Sequence, residues 1–108
     1  MAKIRPRVKA PKTAGKGEII EIKTLINHAM ESGQRKDSSG APIPRQIINR
    51  FEVALNGRQV FAADLFPSVS ANPYVAFFLK AEESGDLTFT WHDDDGSVYE
   101  QTKSIEVT

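Results

Sequence analysis

Apolar and polar residues alternate along most of this chain, and a period of two is typical of half-buried β-strands. Segments with this pattern cover residues 4–10, 17–26, 45–55, 58–65, 74–81, 87–92 and 98–107. Asn56 and Gly57 lie between two of them and predict a type I′ hairpin turn, because both residues tolerate a positive φ. The inward-facing positions that the alternation predicts are Ile20, Ile22, Ile26, Ile47, Phe51, Val53, Leu55, Leu87, Phe89, Trp91, Ile105 and Val107.

Short strands separated by frequent turns indicate an all-β protein. We expect an immunoglobulin-like Greek-key β-sandwich of about seven antiparallel strands, formed by one domain. That domain spans residues 1–108. Pro6 places the first strand at a sheet edge, since proline cannot donate a ladder hydrogen bond. A small open barrel is the alternative fold.

One predicted strand departs from the alternation because both of its faces are apolar. Its faces carry Val75, Phe77 and Leu79 on one side and Tyr74, Ala76 and Phe78 on the other. Only one face of a strand meets the core of a two-layer sandwich. The second face is therefore either covered by residues 68–73 or by the long loop at 28–44, or it is offered to a partner.

Residues 28–44 lose the pattern and have the Gly, Pro and Ser content of a loop. Loops of this length inside a compact domain are usually functional or disordered. Further along the chain, Asp93, Asp94 and Asp95 precede Gly96, and this run predicts a hairpin turn. It is not a calcium loop, because such loops place their acids at alternate positions and end in a distant Glu.

Charge and aromatic residues are divided unevenly along the chain. Residues 1–50 carry eleven Lys or Arg against four acids, and residues 51–108 carry three against ten together with all nine aromatic residues. A basic half without aromatic residues cannot fold alone, so the two halves share one core. One sheet then supplies small aliphatic side chains and the other supplies bulky ones.

The candidate chemistry is sparse. The chain has no cysteine, which excludes disulfides, thiolate nucleophiles and sulfur-ligated metals. No Gly-x-Ser-x-Gly motif frames a serine, so we expect no enzyme and no catalytic residue. A copper or zinc site built from His28, Met30 and His92 is conceivable. Its two histidines are more than sixty residues apart, however, and we expect neither a metal nor a cofactor.

A basic stripe begins the chain: Lys3, Arg5, Arg7, Lys9, Lys12 and Lys16. Sheet proteins that bind nucleic acids usually interleave aromatic and basic residues, whereas here they lie in opposite halves, so nucleic acid is not expected. Steering of an acidic partner or a small anion is favoured instead. No apolar run approaches the length of a membrane span, and no membrane association is expected.

Four segments together resemble the SoxZ family, the small subunits of the SoxYZ carrier complex of bacterial thiosulfate oxidation. The segments are 11–35 (PKTAGKGEIIEIKTLINHAMESGQR), 42–45 (PIPR), 64–74 (DLFPSVSANPY) and 90–99 (TWHDDDGSVY). They occur in matching order over essentially the whole chain. Ala29 departs from the family's usual His-Pro-Met-Glu, which relaxes the loop without removing a side chain that could bind a ligand.

The resemblance implies a non-catalytic subunit in a heterodimer with SoxY, which carries thiosulfate-derived sulfur on a C-terminal cysteine and meets other Sox enzymes transiently. It also implies a periplasmic protein that is exported without its own signal peptide, together with a partner bearing a twin-arginine signal. Within that frame the residues expected at the partner interface are Tyr74, Ala76, Phe78, His28, Met30 and Arg35. The alternative is a stand-alone periplasmic β-sandwich that binds a metal or an anion.

Overall fold

The computed structural model describes residues 4–108, and these form two packed β-sheets. The strands are β1 (Pro6–Lys9), β2 (Thr13–Ala14), β3 (Ile19–Ile26), β4 (Ile48–Leu55), β5 (Arg58–Asp64), β6 (Tyr74–Lys80), β7 (Gly85–Asp93) and β8 (Val98–Val107). Within the described range there is no helix long and apolar enough to cross a membrane. The molecule is elongated, with dimensions of 59 × 21 × 20 Å.

The strands divide into a small sheet, ordered β1-β3-β6, and a large sheet, ordered β2-β8-β7-β4-β5. This arrangement confirms the predicted immunoglobulin-like sandwich, with β1 at a sheet edge as Pro6 requires. Eight strands are present rather than about seven, because the two-residue β2 adds to the edge of β8. That pairing is parallel, whereas the other strand pairs within residues 4–108 are antiparallel as expected.

The core lies between the two sheets and follows the predicted alternation. The small sheet supplies isoleucines, and the large sheet supplies Phe51, Phe89 and Trp91, all almost fully buried. The rings of Phe51 and Trp91 lie 4.9 Å apart. At the rim, Phe61 of the large sheet stacks on Phe77 of the small sheet at 4.3 Å. Core packing therefore accounts for the buried aromatic residues, whereas Tyr74 and Phe78 lie outside the core.

The β4–β5 hairpin confirms the predicted turn. Asn56 and Gly57 have φ angles of 51° and 83°, as a type I′ turn requires. The Asn56 side chain also ties this turn to the start of β7, since its Oδ1 accepts from Asp86 N–H at 3.1 Å and its Nδ2 donates to Ser84 O at 3.1 Å. A Cβ added at Gly85 would lie 2.0 Å from Asn56 Oδ1, so that close approach needs glycine.

The long loop at 28–44 is ordered. Glu31 and Gln46 exchange backbone hydrogen bonds of 2.8 Å, and Ile43 N–H donates to Arg35 O at 2.9 Å. At the tip, Asp37 Oδ1 accepts from Ser39 and Ala41 backbone N–H groups. The segment is thus a narrow, hydrogen-bonded excursion closed by an Asx-type turn, and not a disordered linker.

Candidate functional site

The outward-facing side of the small sheet, here called the small-sheet face, exposes aromatic side chains. Tyr74 and Phe78 point outward from β6 and retain 59% and 69% of their accessible surface. Neither residues 68–73 nor the long loop covers them. The face is formed by Arg7, Lys9, Ile19, Glu21, Lys23, Leu25, Tyr74, Ala76, Phe78 and Lys80. Of the two possibilities for the second face of this strand, covered or uncovered, the structure therefore shows the uncovered one.

Cations lie beside this aromatic edge. Lys9 of β1 is directly opposite Lys23 of β3, and like charges in opposed positions destabilise a sheet. Lys23 is 3.6 Å from Glu21, but Arg7 and Lys9 form no ion pair with any acid among residues 4–108. The face therefore has an apolar edge on β6 and a basic edge on β1.

A cleft of about 360 Å³ opens at the end of the small-sheet face. It is lined by Arg5, Arg7, Leu25, Asn27 and Asn72. Arg5 N–H donates to Asn27 Oδ1 at 2.5 Å, which extends the β1–β3 contact beyond Pro6. No carboxylate lines this cleft.

Beneath this end of the sheet, His28 and Asp93 form a buried pair. His28 Nε2 lies 2.7 Å from Asp93 Oδ2, and the side chains are 4% and 0% exposed. Met30 N–H donates to His28 Nδ1 at 2.9 Å. Because Nδ1 accepts a hydrogen bond, the ring is the neutral tautomer that carries its proton on Nε2 and donates it to Asp93.

Asp93 has further donors around it. Asp95 N–H donates to Oδ1 at 3.2 Å, and the Tyr99 hydroxyl donates to Oδ2 at 3.4 Å. Burial raises the pKa of Tyr99, so the phenol keeps its proton. A buried carboxylate is tolerated only when its lone pairs are used in this way. The pair thus joins the start of the long loop to the β7–β8 turn.

The expected interface residues on the long loop have different surroundings from those on β6. Met30 is buried, with a left-handed φ of 53°, and its sulfur accepts from Ile48 N–H at 3.2 Å. His28 is buried as well, so these two residues hold the loop from within. Arg35 is exposed and bonds Glu31 at 2.5 Å, which lowers the pKa of the Glu31 carboxyl.

The side chains considered for a metal site, those of His28, Met30 and His92, are far apart or already hydrogen-bonded. Both ring nitrogens of His28 are hydrogen-bonded, and His92 points to the opposite side of β7 from Asp93. Within residues 4–108 no three His, Cys, Asp or Glu side chains are grouped so that they could hold a metal ion.

Asp93 is buried and paired, although the sequence predicts only a hairpin turn at this position. It has the same parity as Leu87, Phe89 and Trp91 in β7, so the alternation itself placed it inward. Its neighbour Asp94 holds the end of the long loop. Hydrogen bonding from Arg45, with help from Asn49, lowers the pKa of Asp94 from its usual 3.8 to about 2.

The family model described as "Sulphur oxidation protein SoxZ" matches residues 8–104. The chain belongs to the SoxZ family. It is a sulfur-oxidation subunit, in agreement with the resemblance of its four segments. No curated protein sequence matches it.

Solved structures share the fold of this SoxZ-family chain. The sulfur carrier protein SoxY from Chlorobium limicola f thiosulfatophilum is similar, with a TM-score of 0.64 and 16% identity over 95% of this chain and 78% of that one. A superoxide reductase (neelaredoxin) from Ignicoccus hospitalis has a TM-score of 0.71 and 18% identity, covering 95% of this chain and 80% of that chain. At these identities the likeness shows the fold alone.

Proposed function

We propose that this chain is the non-catalytic subunit of a heterodimeric sulfur-carrier complex. Its partner is a SoxY-type subunit that carries thiosulfate-derived sulfur on a C-terminal cysteine. Membership of the SoxZ family supports a place in sulfur oxidation. The observation that carries the assignment of a binding role is the uncovered aromatic edge formed by Tyr74, Ala76 and Phe78.

The physical case for docking on the small-sheet face rests on exposed apolar area. Tyr74 and Phe78 leave more than half of their surface in water, and burying a large apolar side chain stabilises a complex by about 1.5–3 kcal/mol. β6 is also an edge strand whose outer backbone groups face away from β3. Aromatic side chains beside an open edge form the kind of centre around which protein interfaces are built.

The division of labour follows from the side chains present. The chain has no cysteine, so the covalent sulfur chemistry belongs to the partner. The subunit supports and presents the carrier while other Sox enzymes act on the bound sulfur in transient encounters. His28, Met30 and Arg35 contribute by fixing the long loop beside the docked partner.

We propose also that the complex works in the periplasm and that this chain is exported with a partner bearing a twin-arginine signal. Replacing the partner's two signal arginines with lysine is expected to retain both chains in the cytoplasm. Cell fractionation and immunoblotting measure this. Normal periplasmic amounts of this chain in that strain would contradict co-export.

The docking surface is tested by Phe78→Asp in the full chain co-expressed with an affinity-tagged SoxY-type subunit. A charge at the centre of the apolar edge is expected to lower the recovered complex at least about tenfold, since a desolvated, unpaired carboxylate opposes docking. Val98→Asp is the matched control, because Val98 is 52% exposed on the outer side of the large sheet. It is expected to leave the yield unchanged.

Circular dichroism and thermal melting establish that both variants fold. A folded Phe78→Asp chain that is recovered in wild-type amounts would place the interface elsewhere. Equal losses in the two variants would likewise contradict a docking surface centred on β6.

A further inference from the structure

The cleft at the end of the small-sheet face is lined by hydrogen-bond donors. Arg5 and Arg7 supply two guanidinium groups, and Asn72 supplies an amide nitrogen. Asn27 also lines the cleft, and its Oδ1 accepts from Arg5 N–H. Its remaining lining residue is Leu25, and no acid faces it. The volume of about 360 Å³ lies within the range of small-molecule sites, roughly 300–1,000 Å³.

The two arginines share a side because β1 is extended. Residues two apart in a strand point the same way, so Arg5 and Arg7 turn outward while Pro6 and Val8 are partly buried. Neither guanidinium forms an ion pair with an acid among residues 4–108. Two cations held together without a counter-charge give a strongly positive opening.

Asn72 is held in a defined orientation by the backbone of His28. Asn72 N–H donates to His28 O at 2.7 Å, and its side-chain Oδ1 accepts from His28 N–H at 3.0 Å. With the oxygen engaged in this way, the amide nitrogen is left as a donor, and it forms no hydrogen bond with a described residue. Asn72 has the left-handed φ of 55°, which an asparagine accommodates readily.

The support behind Asn72 is rigid. His28 is held through Nε2 by buried Asp93 and through Nδ1 by the Met30 backbone, so its own backbone has little freedom. The amide donor of Asn72 is therefore held in place before any ligand arrives. Preorganisation of this kind reduces the entropy lost on binding.

We propose that this cleft binds the tetrahedral oxyanion of a sulfonate or sulfate-like group. A guanidinium donates two parallel hydrogen bonds to such an anion, and charge-assisted bonds of this type are about twice as strong as neutral ones. The amide nitrogen of Asn72 adds a donor for one of the remaining oxygens. Because both arginines are exposed, the affinity falls as ionic strength rises.

The cleft lies next to the proposed docking surface, which indicates the source of the anion. Arg7 lies in the same cross-strand row as Leu25 and Tyr74, so the cleft adjoins the small-sheet face. A partner docked on that face can present a sulfonate at the end of its sulfur-carrying arm, and this step rests on the proposed function. Free thiosulfate is the other source with the same terminal chemistry.

The experiment is isothermal titration calorimetry of the full chain at low ionic strength with three probes: thiosulfate, sulfate and a short peptide containing S-sulfocysteine. Wild type is expected to bind at least one of them with one-to-one stoichiometry. Arg5→Gln/Arg7→Gln is expected to weaken binding at least about tenfold, a loss of about 1.4 kcal/mol. Lys16→Gln, an exposed cation beyond the other end of β3, is the matched control and is expected to change it less than about twofold.

Tighter binding of the peptide than of thiosulfate would support the proposal and assign a sulfonate carried by the partner. Equal binding of both would support it and assign a free anion. Absence of heat with all three probes, or equal weakening by the control, would overturn the site. Either negative result leaves the co-purification experiment on Phe78 unaffected, so failure of the cleft and failure of the docking surface are separable.

Discussion

The two outer sides of the sandwich differ in how much apolar surface they expose and in how many of their charges are paired. The small-sheet face exposes Tyr74 and Phe78 and leaves Arg7 and Lys9 without ion partners among the described residues. The outward side of the large sheet, here the large-sheet face, is mostly threonine and charged side chains. Its members are Arg50, Glu52, Ala54, Thr88, Thr90, His92, Val98, Glu100 and Thr102.

Several charges on the large-sheet face are paired within the chain. Arg50 bonds both Glu52, at 2.5 Å, and Asp64, at 2.7 Å, and His92 lies 3.7 Å from Glu52. This face exposes Val98 but no aromatic side chain, so it offers less apolar area to a partner than the small-sheet face does. The two outer faces are built from the same pattern of alternating strands. They differ in how many of their outward residues find partners within the chain.

The largest expected difference in stability between the two sides of the sandwich comes from replacing each of the two histidines. His28→Ala is expected to lower the free energy of unfolding by about 3 kcal/mol at neutral pH, because it leaves the Asp93 carboxylate buried without its main donor. His92→Ala on the large-sheet face is expected to cost about 0.5 kcal/mol or less. Urea denaturation measures both. Equal losses would show that the buried pair does not support the small-sheet end.

A second, smaller effect concerns the junction of the long loop with the large sheet. Asp94→Asn is expected to lower the free energy of unfolding by about 1 kcal/mol at pH 7, after allowance for solvent screening of Arg45. Because the folded pKa is depressed from 3.8 to about 2, this contribution is present above pH 3.8 and is lost as the pH falls toward 2.

Denaturation curves of wild type and Asp94→Asn between pH 2 and neutrality test the sign of this dependence. The two proteins are expected to converge at the acid end of the range. A difference in stability that grows as the pH falls would contradict the role of the charged carboxylate. Glu100→Gln, exposed on the large-sheet face, serves as the control with little expected effect.

The smallest expected change in stability comes from replacing an arginine that forms ion pairs and, for comparison, one that does not. Arg50→Gln is expected to destabilise the chain slightly, and the loss should shrink in high salt because exposed ion pairs are screened. Arg7→Gln on the small-sheet face is expected to leave stability unchanged, since no internal pair is lost. Thermal melts at two salt concentrations distinguish them. A larger loss from Arg7→Gln would mean that its charge is already used within the fold.

Local patterns predicted most of the fold and only part of the candidate site. Parity placed Ile20 and Phe89 inward, and the residues of the Asn56–Gly57 turn specify its geometry. The β-bulge near Ile48, which buries both Ile47 and Ile48, breaks strict alternation and follows from the pairing of β4 with β7.

Contacts between segments far apart in the chain cannot be predicted from local residue patterns. His28 and Asp93 are 65 residues apart, and no period links them. The parallel addition of β2 to β8 and the meeting of Arg7 with Asn72 likewise depend on the order of strands in the sheets. The exposed second face of β6 was visible in the sequence, but whether anything covers it was decided only by tertiary structure.

The open edge of β6 also bears on how a cell must produce this protein. An exposed strand edge beside aromatic side chains is a template for pairing with another copy. Chains made in excess of their partner would carry this edge into solution, where it promotes self-association and exposes the surplus to chaperones and proteases. For the proposed heterodimer, the open edge of this strand therefore makes balanced synthesis of the two subunits a requirement.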